Sequence, residues 1–375
     1  MRSFPAALLA TVLLVAACGP DPVEEPARLL VASGFTDQVF VLDPVDGTLL
    51  DSLAVHARPV ARDEPHGITV APDGRRWYLT LAHGEPLLRV YERPGNRLVG
   101  ELALPMGGAS RIGLTPDGRI AFVADYGRSA GDEPGEVARI RTRSLEITHR
   151  EAVCPAPHDA RVDPSGERLL VTCAFGSEAL LLSAADLSIL ARIPLPGEGD
   201  HGFISGDRPP GSLPGEGEHG SMPMNATWSP DGSRAWITLM AADAVVEIDR
   251  EGAVQATIPA GPGPVSPLVT PDGSRLLVTE RGGASLAIFR LPALELERRV
   301  DLGHAPHPQG LALDGEGRVA FVGYEGEVGG AGGVVAVAID DGSIRWRREV
   351  GAYVLGVAWL TPLPLPQPPA EAPPN

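Results

Sequence analysis

The chain contains no lysine, so all 31 of its basic residues are arginine. Schiff-base chemistry, which needs a lysine amine, is excluded. Acids outnumber bases 48 to 31, a formal net charge of -17. That balance argues against nucleic acid as a partner, because phosphate binding needs a positive surface. Aromatic residues are only 5% of the chain and cysteines number three. No Cys-x-x-Cys-His string is present, which rules out covalent haem, and no His-Glu-x-x-His metalloprotease motif is present. The Gly-rich stretch Gly326 to Gly333 has no lysine and no strand–loop–helix context, so it is not a phosphate loop.

What is abundant is glycine (45) and proline (38), in a chain that is still 43% hydrophobic. Short apolar runs persist throughout, so these residues read as tight turns rather than disorder. The first segment is different. Arg2 supplies a positive start, and Ala6 to Ala17 is an apolar run too short to span a bilayer. It ends in Val15-Ala16-Ala17-Cys18, which resembles the lipobox of bacterial lipoproteins. The resemblance implies that residues 1–17 are a signal peptide and that Cys18 is lipidated and holds the chain to a membrane. Gly19 follows it, unlike the aspartate retention signal, which favours the outer membrane. Residues 18–27, with Pro20, Pro22 and Pro26, read as a tether.

From there one unit recurs: an apolar strand, a tight turn, and a second apolar strand. The turns are Pro72-Asp73-Gly74, Pro116-Asp117-Gly118, Pro164-Ser165-Gly166, Pro230-Asp231-Gly232, Pro271-Asp272-Gly273 and a degenerate Asp314-Gly315-Glu316-Gly317. Proline presets φ, aspartate bonds its own backbone, and glycine accepts positive φ. Two further strands follow each hairpin, at a period of roughly 40–50 residues. Four short strands per repeat is the signature of a β-propeller, and no Trp-Asp pair closes the repeats. Leu29 to Val55 holds three strands without an innermost one, and Tyr353 to Leu360 holds a lone strand. The fold expected is all-β, a seven-bladed propeller over residues 28–361, its ring closed by pairing the C-terminal strand with the N-terminal blade. Residues 362–375 read as a Pro-rich disordered tail.

The repeat resembles the YVTN-type propellers. The best match is Leu30-Val31-Ala32-Ser33-Gly34-Phe35-Thr36-Asp37-Gln38-Val39-Phe40-Val41-Leu42-Asp43, and Phe122-Val123-Ala124-Asp125-Tyr126-Gly127 echoes it. The resemblance implies that the Pro-Asp-Gly turns lie on the bottom face. The loops between blades, and between second and third strands, then surround the channel mouth on top. It does not specify function, because such propellers host lactonases, metal sites, electron-transfer partners and binding modules.

Eight of the nine histidines fall in or beside those top loops: His56, His66, His83, His158, His201, His219, His304 and His307. Asp63, Glu64, Glu85, Asp125, Asp159, Asp200, Glu218 and Glu325 crowd the same loops. Histidine and carboxylate together suit a transition metal such as copper or zinc. His66, His158 and His307 begin or precede innermost strands and are the candidate metal ligands. The other reading is a polar cleft for a small ligand. Its candidate residues are His66, Arg111, His158, Asn225 and Gln309. The long insertion from Pro196 to Pro223 is expected to cover the mouth as a lid.

Cys154 and Cys173 remain after Cys18. In an oxidising compartment a disulfide is expected; two free thiols, or a metal site with His158, are the alternatives. The function expected is a lipid-anchored extracytoplasmic propeller that binds a ligand or protein partner at its top face. The alternatives are a lactonase-like hydrolase at the channel mouth, with no lactonase motif matched, and a structural scaffold in a surface or redox complex.

Overall fold

The computed structural model describes residues 24–58, 62–127, 134–196 and 220–365. The signal segment, Cys18, most of the long insertion with His201 and His219, and the end of the Pro-rich tail lie outside the described residues. Seven four-stranded antiparallel sheets form the seven blades of the expected propeller. Blade 1 is the split one. Its innermost strand is Val354–Leu360, followed outward by Arg28–Ser33, Gln38–Leu42 and Leu49–Ala54. Blades 2 to 7 follow in chain order, with innermost strands Pro65–Val70, Ala109–Leu114, Pro157–Val162, Pro223–Trp228, Pro264–Val269 and Pro308–Leu313.

Ring closure rests on the register Leu29↔Trp359, Leu30↔Ala358 and Val31↔Val357. Ordered pairing runs slightly past both sequence boundaries, since Glu24↔Pro364 and Glu25↔Leu363 add a two-stranded ribbon. Arg93 locks it from below. Its guanidinium donates to Gly74 O at 2.8 Å and Thr361 O at 2.9 Å, and sits 3.2 Å from Glu25.

Burial explains the strand sequences. The second and third strands of each blade are covered on both faces by neighbouring blades, and read as unbroken apolar runs such as Leu169-Leu170-Val171. Seven hydrophobic clusters lie between consecutive blades, each drawing on two of them. The outermost strand Leu49–Ala54 is exposed along nearly its whole length, Leu49 and Leu50 included.

Two repeating contacts link neighbours. On the bottom, the glycine of each turn packs on the proline of the preceding turn: Gly118 on Pro72, Gly166 on Pro116, Gly232 on Pro164, Gly273 on Pro230 and Gly317 on Pro271. These glycines have φ between 67° and 77°, and at all but Gly273 a Cβ would also crowd the proline. On the top, a buried threonine bridges inner strands. Thr80, Thr172 and Thr238 donate to Ser110 O, Met224 O and Val265 O of the next blade, each at 2.6 Å, and Thr279 to Gln309 O at 3.3 Å. The same hydroxyls accept from Gly67, Asp159, Asn225 and Ser266 N–H in their own blades.

Cys154 and Cys173 form a disulfide with Cα atoms 5.9 Å apart. Cys154 ends the outermost strand of blade 3 (Glu146–Cys154), and Cys173 ends the second strand of blade 4 (Arg168–Cys173), so the bridge ties two blades together at the top. The alternatives of free thiols and of a cysteine–histidine metal site are set aside by this bond.

Thr172→Val keeps the shape but strands a buried N–H and a buried carbonyl. We expect a loss of about 1–3 kcal/mol in chemical denaturation, largely recovered in Thr172→Ser.

Candidate functional site

The mouth is shaped by how each inner strand begins. In six blades the residue before it has a left-handed backbone: Glu64 (φ 53°), Ala156 (48°), Met222 (49°), Gly263 (62°), His307 (57°) and Tyr353 (59°). Five of these strands then start with proline: Pro65, Pro157, Pro223, Pro264 and Pro308. Pairing with the second strand is interrupted just after it, as between Pro65 and Ile68 or Pro223 and Ala226. A positive φ is costly for a residue with a side chain and persists only where surroundings hold it. Here the threonine hydroxyl takes the backbone N–H that the interrupted ladder leaves over. The residues freed at the mouth are His66-Gly67, Ser110-Arg111, His158, Met224-Asn225, Val265-Ser266, Gln309-Gly310 and Leu355.

This register corrects one expectation. His307 is not equivalent to His66 and His158. It holds the left-handed rim position that Glu64 occupies in blade 2, and Gln309 takes the histidine position. The string Pro306-His307-Pro308 contains two prolines, and the second starts the strand. His307 Nδ1 lies 3.3 Å from Gly326 O. Among the described residues no three His, Cys, Asp or Glu side chains are arranged to hold one metal ion, so a centre of His66, His158 and His307 is not assembled.

His66 and His158 do converge. Their ring centroids are 5.9 Å apart, edge to face, and Tyr126 meets His158 edge-on at 5.1 Å. His158 is 2% exposed, and its Nδ1 lies 3.0 Å from Met224 O and 3.1 Å from Asn225 Oδ1. A carbonyl only accepts, so Nδ1 carries the proton and Nε2 is the basic nitrogen. Asn225 Nδ2 donates to Ser266 Oγ at 3.0 Å. Arg111, from blade 3, reaches across the channel to the same hydroxyl at 3.5 Å. Arg111 is 9% exposed, and its Nε has no partner; His66 Nε2 has none either.

Burial, with the charges of His66 and Arg111, pushes the His158 imidazole down to about 3, so it is uncharged at neutral pH. Burial also lowers the Arg111 guanidinium, to about 10, while Asp159 opposes the shift. Burial raises the Tyr126 phenol to about 12, helped by the Glu64 charge. Glu64 behaves oppositely. Burial disfavours its charge, yet hydrogen bonds with His66 (3.3 Å) and His83 (3.2 Å) hold the carboxyl down at about 2. Asp63 keeps Oδ1 unpartnered, whereas two other carboxylates are paired. Asp159 binds Arg161 Nε and Ala226 N, and Glu325 takes Arg281 in a two-point pair at 3.0 and 2.8 Å.

Of the sequence-predicted ligand-binding residues, His66, Arg111, His158 and Asn225 come together, and Gln309 occupies the matching position in blade 7. The aromatic rim was missed. Tyr126 stands beside His158 and Phe175 beside Tyr126, and Phe35 stacks on Tyr353 at 4.3 Å with Arg62 over its ring at 4.1 Å. These residues sit in loops of different blades, and the only signal in the chain is their place after a second strand or before an inner one. A Gly-x-Ser-x-Gly string, Gly127 to Gly131, follows Tyr126 directly. Residues 128–133, its Ser129 included, lie outside the described residues.

No family model matches the sequence, and no curated protein matches it. Solved structures match the fold. The periplasmic gluconolactonase of Pseudomonas aeruginosa superposes with a TM-score of 0.68 at 19% identity, covering 89% of this chain and 99% of that one. A protein of unknown function from Desulfotomaculum acetoxidans gives 0.62 at 14% identity, covering 89% and 99%. A Bacteroides fragilis protein named provisionally as a 6-phosphogluconolactonase gives 0.64 at 12% identity, covering 89% and 98%. At these identities the likeness is one of fold: the chain is a seven-bladed propeller similar to lactonase-type propellers.

The burial of His158 has a consequence for acid stability. Below its ordinary value near 6.5 the unfolded chain takes up a proton that the folded chain refuses until about pH 3. Acidification therefore favours unfolding over that window. Chemical denaturation is expected to show a loss of about 2 kcal/mol from this group between pH 7 and pH 5, absent in His158→Gln. Glu64 adds a second loss from about pH 4.5 down to about pH 2.

Proposed function

We propose that this protein is an envelope propeller that binds a small polar molecule at the mouth of its central channel. One observation carries the reading. His66 and Arg111 each keep a buried polar atom without a partner, and both face a neutral His158 at the same end of the channel. Buried polar atoms are normally satisfied, and unpaired ones gathered in one place are the mark of a site rather than of packing. The aromatic rim adds apolar surface for the body of a ligand. The disulfide supports an extracytoplasmic location, and the lipobox-like end of the signal segment supports anchoring through Cys18. A protein partner at the top face and a scaffold role have no comparable observation in their favour.

Hydrolysis is the second reading, favoured by His158 itself. Its imidazole is uncharged and Nε2 can accept a proton, as a weak base at about 3, while the Arg111 guanidinium, linked to it through Ser266 and Asn225, suits a developing oxyanion. The fold likeness to a gluconolactonase directs the choice of substrate for the test.

Binding is checked by thermal shift of the full chain against a panel of sugars, sugar acids and lactones. At least one compound should raise the Tm, and the shift should vanish in His66→Ala and His158→Ala. A panel without effect, or shifts that survive both substitutions, would overturn the reading. Hydrolysis is checked by proton release from glucono-1,5-lactone. A rate above the spontaneous one, lost in His158→Ala, supports it; no excess rate removes it. Cys18→Ser should move the protein from the membrane fraction to the soluble one.

A further inference from the structure

The open hydrogen-bonding capacity of the mouth is unequal in kind. The carboxylates nearest His158 and Arg111 are paired: Asp159 with Arg161 and two backbone N–H groups, Glu64 with two histidines, and Glu325 with Arg281, while Asp63 accepts two backbone N–H groups on Oδ2 and keeps Oδ1 unpartnered. Asp125 Oδ1 receives the N–H groups of Gly107 and Gly108. Arg161 and Arg281 are spent on those same acids. Arg111 is not. Among the described residues it forms no ion pair within 4 Å, its Nε is unpartnered, and its one hydrogen bond is the 3.5 Å contact to Ser266 Oγ. In a chain of net charge -17, a guanidinium that is 9% exposed and has only the charge of Asp159, itself bonded to Arg161, to oppose its burial is poorly compensated. Its donors form a fork that matches a carboxylate.

The neighbouring groups constrain what else the ligand carries. Arg111, Ser266, Asn225 and His158 form a continuous chain of contacts at 3.5, 3.0 and 3.1 Å. At its far end His158 Nε2 is an acceptor, because Nδ1 holds the proton. A molecule lying along this chain meets donors at one end and an acceptor at the other. We propose that the ligand is a small hydroxycarboxylate, its carboxylate on Arg111 and a hydroxyl donating to His158 Nε2. The inference rests on the mouth being a binding site, as proposed above. It goes further in naming the chemical class and the residue that reads the charge.

Gluconate and sorbitol test it, since they share length and hydroxyl pattern and differ in carboxylate against hydroxymethyl. Propionate supplies the carboxylate without hydroxyls. Calorimetric titration of the full chain, in buffer free of phosphate and low in chloride, should show gluconate binding at least about tenfold tighter than sorbitol. Arg111→Gln should erase that preference and leave sorbitol unchanged; Arg111→Lys should keep part of it. His158→Gln should weaken gluconate and leave propionate unaltered. The wild-type comparison stands even if a variant folds poorly. Sorbitol binding as tightly as gluconate would overturn the carboxylate assignment while leaving the mouth a binding site. So would a gluconate preference that survives Arg111→Gln in a folded variant. Failure of gluconate to bind, with another panel compound shifting the Tm, would overturn the hydroxycarboxylate class alone. Failure of the whole panel would remove the site reading with it.

Discussion

Each inner strand must leave its blade before reaching the top of the channel, and the threonine that bridges this separation is what the mouth depends on. Where the ladder stops, a backbone N–H and a neighbouring carbonyl are stranded in a dry interior. Thr80, Thr172, Thr238 and Thr279 satisfy both, accepting from their own blade and donating to the next. In blades 1, 3 and 7 the corresponding positions are Ala32, Ala124 and Gly323, and in blade 3 Ser110 Oγ reaches His158 O instead, at 2.7 Å. The same hydroxyls that compensate the interruption therefore also fix one blade against another.

Freed residues can face the channel rather than a neighbouring strand, which is why polar side chains gather there. Burial then acts on each differently. It discharges His158, which has no acid to hold its proton, and leaves Glu64 charged, because two histidines compensate it. Arg111 keeps its charge and lacks a mate. A neutral base, a paired acid and an unpaired cation thus coexist in one small volume, with the Tyr126 ring against the base.

Rigidity comes from the closed ring. The bottom girdle of prolines and glycines, the Cys154–Cys173 bridge and the Arg93 clamp leave the blades little freedom to slide. Side chains on such a frame hold their positions without a ligand, which lowers the entropy cost of binding.

The sequence alone determined the architecture. Turn chemistry is local: proline, aspartate and glycine act within four residues, and their recurrence with four strands per unit leaves few folds. It also determined the split blade, the two cysteines available to pair, and the polar residues His66, Arg111, His158 and Asn225 at the tops of inner strands. Tertiary structure decided the rest. Whether His307 or Gln309 faces the channel turns on which proline starts the strand, a two-residue register choice that pairing with the second strand settles. That Arg111 has no ion pair within 4 Å among the described residues, and that Tyr126 and His66 flank His158, depends on residues from separate blades meeting across the axis. Those distances arise only when the ring closes, because no local pattern in the chain encodes them.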